Sequence, residues 1–367
     1  MRHTIPFFLA LAVGCQSDAD DTSIEDTDVG ETGIEDTDTD ATGADETGEE
    51  PDVAYDGYDY LSHYAVMPDG LNMHYLDEGE GDPIVMVHGL PTQAYMWRRV
   101  IPTVADKGRV IAPDLINFGL SDKTDPVTPG QEVEYLTALI DELELENVTL
   151  VLHDWGVAIG LAYAANHTDN IKGVVFFEGP FSPLPGLAGI PEWFVPNMLD
   201  PVTARPNLVD DNWLIEGFLL DPAGGATSRI YTEAEKEVYR APFTTPEERE
   251  QILLFPQYLP FLDTTGHPVL DPDGPGGEPP MPAPEIEISM GNAQFLQTAD
   301  VPKLFIYGMP GTWANGNGAM LAGSLESSML NLSSVQVGRE DTPNYHYIAE
   351  DTPDELADAV VTFVQGL

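Results

Sequence analysis

Between Asn147 and Asn166 a strand, a sharp turn and a helix follow one another directly, and this constrains the fold more than any other feature of the chain. Asn147–Leu152 is a short run rich in Val and Leu, the pattern of a strand buried on both faces. His153-Asp154-Trp155-Gly156 then turns the chain, and Val157–Asn166 has the apolar and small residues of a buried helix. Similar buried runs recur at Asp82–Gly89, Arg109–Asp114, Val174–Glu178 and Lys303–Tyr307, and Glu132–Leu145 has helical spacing. Strands alternating with helices give an α/β fold: a mostly parallel central sheet with flanking helices.

That rhythm stops between Pro180 and Pro284, where Pro and Gly thicken. Residues 181–295 are therefore expected to form an inserted, largely helical cap, with Thr265–Glu285 as a loop within or beside it. The core is then expected to comprise residues 55–180 and 296–367.

The N-terminal part reads differently. Arg2 precedes an apolar run, Ile5–Val13, too short to span a bilayer, and Ala12-Val13-Gly14-Cys15 resembles a bacterial lipobox. Residues 1–15 are expected to be a lipoprotein-type signal peptide that leaves Cys15 as the lipidated terminus; the alternative is an ordinary signal peptide that happens to carry a cysteine. Ser17 leans towards the outer membrane rather than the periplasm as destination. Residues 16–54 contain no Lys or Arg and almost nothing large and apolar, so they are expected to be a disordered acidic linker. Calcium binding at Asp36, Asp38 and Asp40 fits poorly, because Ala41 and Thr47 stand where an EF-hand loop needs Gly and Glu. The net charge of −49 argues against nucleic acid and against docking on anionic lipid, so a membrane is met only through the N-terminal anchor. The single cysteine excludes a disulfide within the chain and a cysteine-built zinc site.

Chemistry is expected at the turn. A strand–turn–helix of this kind usually reads G-x-S-x-G and lifts a nucleophile above the sheet edge. Here Asp154 holds that place, beside a helix N-terminus that favours an anion and offers N–H groups to a developing oxyanion. An Asp nucleophile attacks carbon and forms an ester that water must cleave, which requires a base. His346, after the last strand signal and before the C-terminal helix, lies where such a base belongs. The stretch after Lys303–Tyr307 offers no carboxylate, whereas Val174–Phe177 ends in Glu178; a carboxylate ending a buried apolar run needs a partner, so Glu178 is the expected orienting acid. The competing structural reading of Asp154 is a helix cap.

At these residues the chain resembles the haloalkane dehalogenases of the α/β-hydrolase superfamily, in their Asp-His-Glu subgroup. His88-Gly89-Leu90-Pro91-Thr92 with Tyr95 and Trp97-Arg98 resembles their oxyanion-hole segment, and Ala112-Pro113-Asp114-Leu115-Ile116 with Ser121-Asp122-Lys123 the next. Leu152-His153-Asp154-Trp155-Gly156 resembles their nucleophile segment, and Tyr239-Arg240-Ala241-Pro242-Phe243 with Glu248-Arg249 and Phe255-Pro256 their cap. The resemblance implies displacement of halide from an sp³ carbon by Asp154. It implies hydrolysis of the alkyl ester by water activated at His346, with Glu178 orienting that ring. Trp155 is then the halide donor, the Leu90 and Trp155 backbone N–H groups form the oxyanion hole, and no metal or organic cofactor takes part. The implied substrate is a small apolar haloalkane.

One position departs from the pattern. Position 90 is Leu where the subgroup usually has an Asn whose side chain helps hold the halide, and Trp193 and Trp213 are candidates to replace that donor. The departure keeps two alternatives open. An epoxide hydrolase shares the Asp nucleophile and would need two cap tyrosines, for which Tyr231, Tyr239 and Tyr258 are available by type. A low-turnover ligand-binding surface protein on the same scaffold is the second.

Overall fold

The computed structural model describes residues 53–55, 58–185, 194–262, 283–312, 317–339 and 341–367. Cys15, the residues of the expected signal peptide, nearly all of the expected linker, Trp193 and most of the Thr265–Glu285 loop lie outside the described residues.

The chain opens with a small antiparallel pair, β1 (Val53–Tyr55) and β2 (Tyr58–Leu61). The main sheet then takes β3 (His63–Val66), β4 (Asn72–Glu78), β5 (Pro83–Val87), β6 (Arg109–Pro113), β7 (Val148–His153) and β8 (Ile171–Phe177). A two-residue pair, β9 (Leu184–Pro185) with β10 (Phe261–Leu262), stands apart from it, and β11 (Lys303–Gly308) and β12 (Leu332–Val337) complete the sheet. Its eight strands run in the order β12-β11-β8-β7-β5-β6-β4-β3. The six from β12 to β6 are mutually parallel, and β4 and β3 are antiparallel additions at one edge. The expected strands thus fall on β5, β6, β7, β8 and β11. Every residue of β5 and β7 is buried, as a strand covered by helices on both faces requires.

Flanking helices complete the layers: α1 (Ile101–Ala105), α2 (Pro129–Glu142) and α3 (Trp155–Asn166). Thr128 and Gln131 form a capping box at the start of α2, satisfying two N–H groups the helix leaves free. Among the described residues between β8 and β11 no strand joins the main sheet. The chain instead forms short helices, α4 (Pro201–Arg205), α5 (Glu233–Arg240) and α6 (Glu250–Leu254), with single π-helical turns such as Leu214–Leu219. The expected cap boundary at residue 295 falls inside α7 (Ala283–Thr298), which packs against α3 and α2 and so sits with the helices that flank the sheet. Then come α8 (Gly318–Ser328), α9 (Ile348–Asp351) and α10 (Pro353–Gln365).

The parallel order brings the C-terminal ends of β5, β7, β8 and β11 to one edge of the sheet, where the loops of such a fold carry function.

Candidate active site

Asp154 directly follows β7 and stands at the N-cap position of α3, yet its side chain caps nothing there. Its backbone sits at φ 51°, ψ −126°, a conformation costly for a non-glycine residue and a sign that the surroundings hold it. The carboxylate turns towards the loop after β5 instead, where Oδ1 accepts from the Leu90 main-chain N–H at 2.7 Å. The Trp155 main-chain N–H also supports the charge. The capping reading of Asp154 therefore gives way to a carboxylate presented above the sheet edge.

Two glycines make this approach feasible. A Cβ on Gly89 would lie 2.4 Å from Asp154 Oδ1 and 2.5 Å from the Trp155 nitrogen, and one on Gly156 would lie 2.3 Å from the Val87 carbonyl oxygen. No side chain fits at either place without moving backbone.

The other side of the carboxylate faces His346, whose Nε2 is 3.4 Å from Asp154 Oδ2, and Glu178 Oε2 is 3.5 Å from His346 Nδ1. The three residues named from the sequence thus form one row, and each is more than nine-tenths buried. Glu178, like Asp154, has a positive φ, 48°. It also accepts from the Thr312 N–H at 3.1 Å. The loop after β11, which has no acid of its own, therefore binds the carboxylate supplied by β8.

Electrostatics separate the roles. Burial works to lower the His346 pKa, but Asp154 and Glu178 outweigh it and lift the ring to about 9. Burial works to raise the Asp154 carboxyl, and His346, helped by the Trp155 N–H, outweighs it and holds it below the ordinary range. The resting pair is a carboxylate beside an imidazolium.

Trp155 is nearly buried, its ring 5.2 Å from Phe255, and it borders a cavity of about 20 Å³ with Ala158, Pro180, Tyr258 and Ser289. Trp213 packs at 5.9 Å on Phe218 and covers Gly217, and it is Phe218 whose ring comes within 6.3 Å of His346. The tyrosine pair an epoxide would need is not assembled at the nucleophile: the Tyr239 hydroxyl donates to Glu350, and Tyr231 packs edge-on against Tyr239 at 5.7 Å.

Three groups here were not singled out from the sequence. The Tyr347 hydroxyl donates to the Leu90 carbonyl at 3.1 Å, tying the base loop to the oxyanion loop. His153 Nε2 lies 3.0 Å from the His346 carbonyl. Arg98, quoted above only as part of a motif, joins Arg229, Glu235 and Glu350 in an ion network with no water-facing side at Arg98 or Glu350. Trp97-Arg98 was a usable signal for this network; for Glu350 the sequence carries none.

Comparison with known proteins agrees with this geometry. Residues 82–212 match the model of the alpha/beta hydrolase fold family. A haloalkane dehalogenase from Sphingobium indicum is 32% identical over 309 residues, covering 81% of this chain and 93% of the relative. One from Mycolicibacterium smegmatis is 33% identical over 313 residues, covering 81% and 89%. Among solved structures, haloalkane dehalogenase DbeA from Bradyrhizobium elkani superposes with a TM-score of 0.70 at 28% identity, covering 84% of this chain and 98% of that one. DatA from Agrobacterium tumefaciens C58 superposes with a TM-score of 0.69 at 26% identity, covering 84% and 97%. Fold and comparisons together define an α/β-hydrolase. Within that class the chain belongs to the haloalkane dehalogenases.

Proposed function

We propose that the protein hydrolyses carbon–halogen bonds of small apolar haloalkanes through an alkyl ester of Asp154. The observation that carries this is the orientation of the Asp154 carboxylate: Oδ1 is held by the Leu90 N–H while Oδ2 faces the row of His346 and Glu178.

Oδ2 attacks the halogen-bearing carbon in line. The carbon–halogen bond breaks, and the halide leaves with its electron pair towards the Trp155 indole. Asp154 is then a neutral ester, which removes the first of the two carboxylates that raise the His346 pKa. With that support gone, the resting imidazolium gives its proton up to solvent, and the neutral ring is then a base. It takes a proton from water, whose oxygen attacks Asp154 Cγ. The charge that develops on Oδ1 meets the Leu90 and Trp155 N–H groups already in place. Cleavage of the Cγ–Oδ2 bond expels the alkoxide, which takes the proton of the newly added carboxyl hydroxyl and leaves as the alcohol; Asp154 is again a carboxylate, and Glu178 stabilises the imidazolium that hydrolysis has formed.

A single turnover of 1-bromobutane in ¹⁸O-water tests the scheme. The heavy oxygen is expected in Asp154, with none in the alcohol. Label in the alcohol would mean that water attacks the substrate directly and that no ester forms. Export and lipid anchoring at Cys15 are part of the proposal, supported by the apolar run before the chain's one cysteine. Palmitate labelling of the full chain, lost in Cys15→Ser, is the expected result.

A further inference from the structure

The imidazole of His346 is held loosely by its partners and tightly through its own peptide. Its two ring nitrogens stand 3.4 Å from Asp154 and 3.5 Å from Glu178, the long end of hydrogen bonding. Its main-chain N–H, by contrast, donates to the Ala226 carbonyl at 3.0 Å, and its carbonyl faces His153 Nε2, also at 3.0 Å. The location of the ring is therefore inherited from the peptide, and His153 is the side chain that grips that peptide.

We infer that His153 is a positioning residue for the general base: its Nε2–H holds the His346 carbonyl and so fixes where the imidazole stands during ester hydrolysis. The inference rests on the roles of Asp154 and His346 proposed above. A carbonyl oxygen only accepts, so Nε2 must carry the proton and Nδ1 must be bare. Nδ1 is buried and meets no hydrogen-bond partner among the described residues, so the opposite tautomer has nothing to stabilise it. Burial, and then the neighbouring His346, hold the His153 pKa down to about 3, which keeps this ring neutral beside an imidazolium. The ring is fixed on its other sides by Phe177 at 5.2 Å and Tyr347 at 5.4 Å between centroids. A rigid, neutral donor of one defined tautomer anchors a catalytic loop without competing for its proton.

The consequence is specific to one step. Displacement of halide by Asp154 does not use His346, whereas hydrolysis of the ester does. Carbon–halogen cleavage precedes hydrolysis, so when it is irreversible it alone sets kcat/KM, while kcat includes hydrolysis. Three variants of the full chain separate the possibilities: His153→Gln, His153→Asn and His153→Leu. The Gln amide nitrogen can occupy the place of Nε2, and the Asn nitrogen only that of Nδ1.

With 1-bromobutane, His153→Leu and His153→Asn are expected to lose on the order of 10-fold in kcat, as one buried hydrogen bond implies. KM should fall in proportion, leaving kcat/KM unchanged, and the alkyl adduct on Asp154 should accumulate by intact mass. His153→Gln should recover most of kcat. Equal losses in kcat and kcat/KM without adduct, in variants that still melt cooperatively, would overturn the inference. So would a His153→Gln no better than His153→Leu. His346→Phe serves as the reference: if it accumulates no adduct, the assignment of the base fails first, and the two failures are thereby told apart.

Discussion

Gly89→Ala puts the proposed division of labour within Asp154 to a direct test. The added methyl carbon would lie 2.4 Å from Asp154 Oδ1 and 2.5 Å from the Trp155 nitrogen, wedged between the carboxylate and the start of the helix that follows it. Ordinary contact needs about 3.4 Å or more, so the loop or the carboxylate must shift by roughly 1 Å. Either shift breaks the 2.7 Å bond from the Leu90 N–H. Removing one oxyanion donor costs about 10²–10³ in rate, equivalent to about 2.7–4 kcal/mol. Both half-reactions should suffer, because the same bond orients the nucleophile and later stabilises the tetrahedral intermediate. Halide release from 1-bromobutane is the assay, with circular dichroism and a melting curve showing that the fold persists. A folded Gly89→Ala variant that releases halide at more than about a third of the parent rate would refute the placement of Oδ1 in an oxyanion hole.

Two further expectations concern stability. Glu350→Ala takes from the fully buried Arg98 its bidentate carboxylate and leaves it Glu235, so it should cost about 3–5 kcal/mol in denaturant unfolding. Glu250→Gln, which breaks the half-exposed pair with Arg205, should cost about 1 kcal/mol or less, and equal losses would contradict the network. The two buried histidines should give opposite pH slopes. His346 is raised from 6.5 to about 9, so its contribution is complete below pH 6.5 and lost as pH rises through 9. His153 is lowered from 6.5 to about 3, so its contribution is present above pH 6.5 and lost as pH falls towards 3. Melting temperature should therefore peak near neutrality, and His346→Phe should flatten the alkaline limb; an unchanged limb would rule out the resting ion pair.

Much of this was legible in the sequence because it is local. A buried apolar run announces a strand wherever it occurs, and β5, β6, β7, β8 and β11 lie under such runs. Glu178 was readable for a related reason, as a carboxylate closing an apolar run where burial demands a partner, and Asp154 from its place in a strand–turn–helix. β3, β4 and β12 were not foreseen. β3 and β12 form the two edges of the sheet, alternate or half-expose their residues, and look like ordinary amphipathic segments. The His74–Asp114 pair, 2.8 Å apart and wholly buried, was missed because it joins β4 to the end of β6 across forty positions. Glu350 is a comparable case: it reads as one acid in a helix-starting Ile-Ala-Glu-Asp, and only the fold brings Arg98, Arg229 and Tyr239 to it. Contacts made by distant segments leave no local pattern. The expected end of the cap falls inside α7, which has no strong apolar stripe to show from sequence which layer it joins.

Position 90 remains the point where this chain departs from the pattern it resembles, and the structure shows what the departure costs. Leu90 works through its main chain alone: the N–H is spent on Asp154 and the carbonyl on Tyr347. Its nearly buried side chain offers the leaving halide no donor. On the proposed mechanism Trp155 is then the halide donor, and a hydrogen bond to a charged group is worth about 1.5–3 kcal/mol. The deficit should weigh most on chloride, the small halide that water holds most strongly, and least on bromide and iodide. Leu90→Asn leaves both main-chain bonds in place and restores a side-chain N–H. It should raise turnover of 1-chlorobutane by on the order of 10-fold or more relative to 1-bromobutane. It should also lose about 1–3 kcal/mol of stability while the amide lacks a halide to bind. Halide release measured for both substrates gives the ratio. An unchanged chloro-to-bromo ratio in a folded Leu90→Asn variant would mean that a donor elsewhere already completes the halide site.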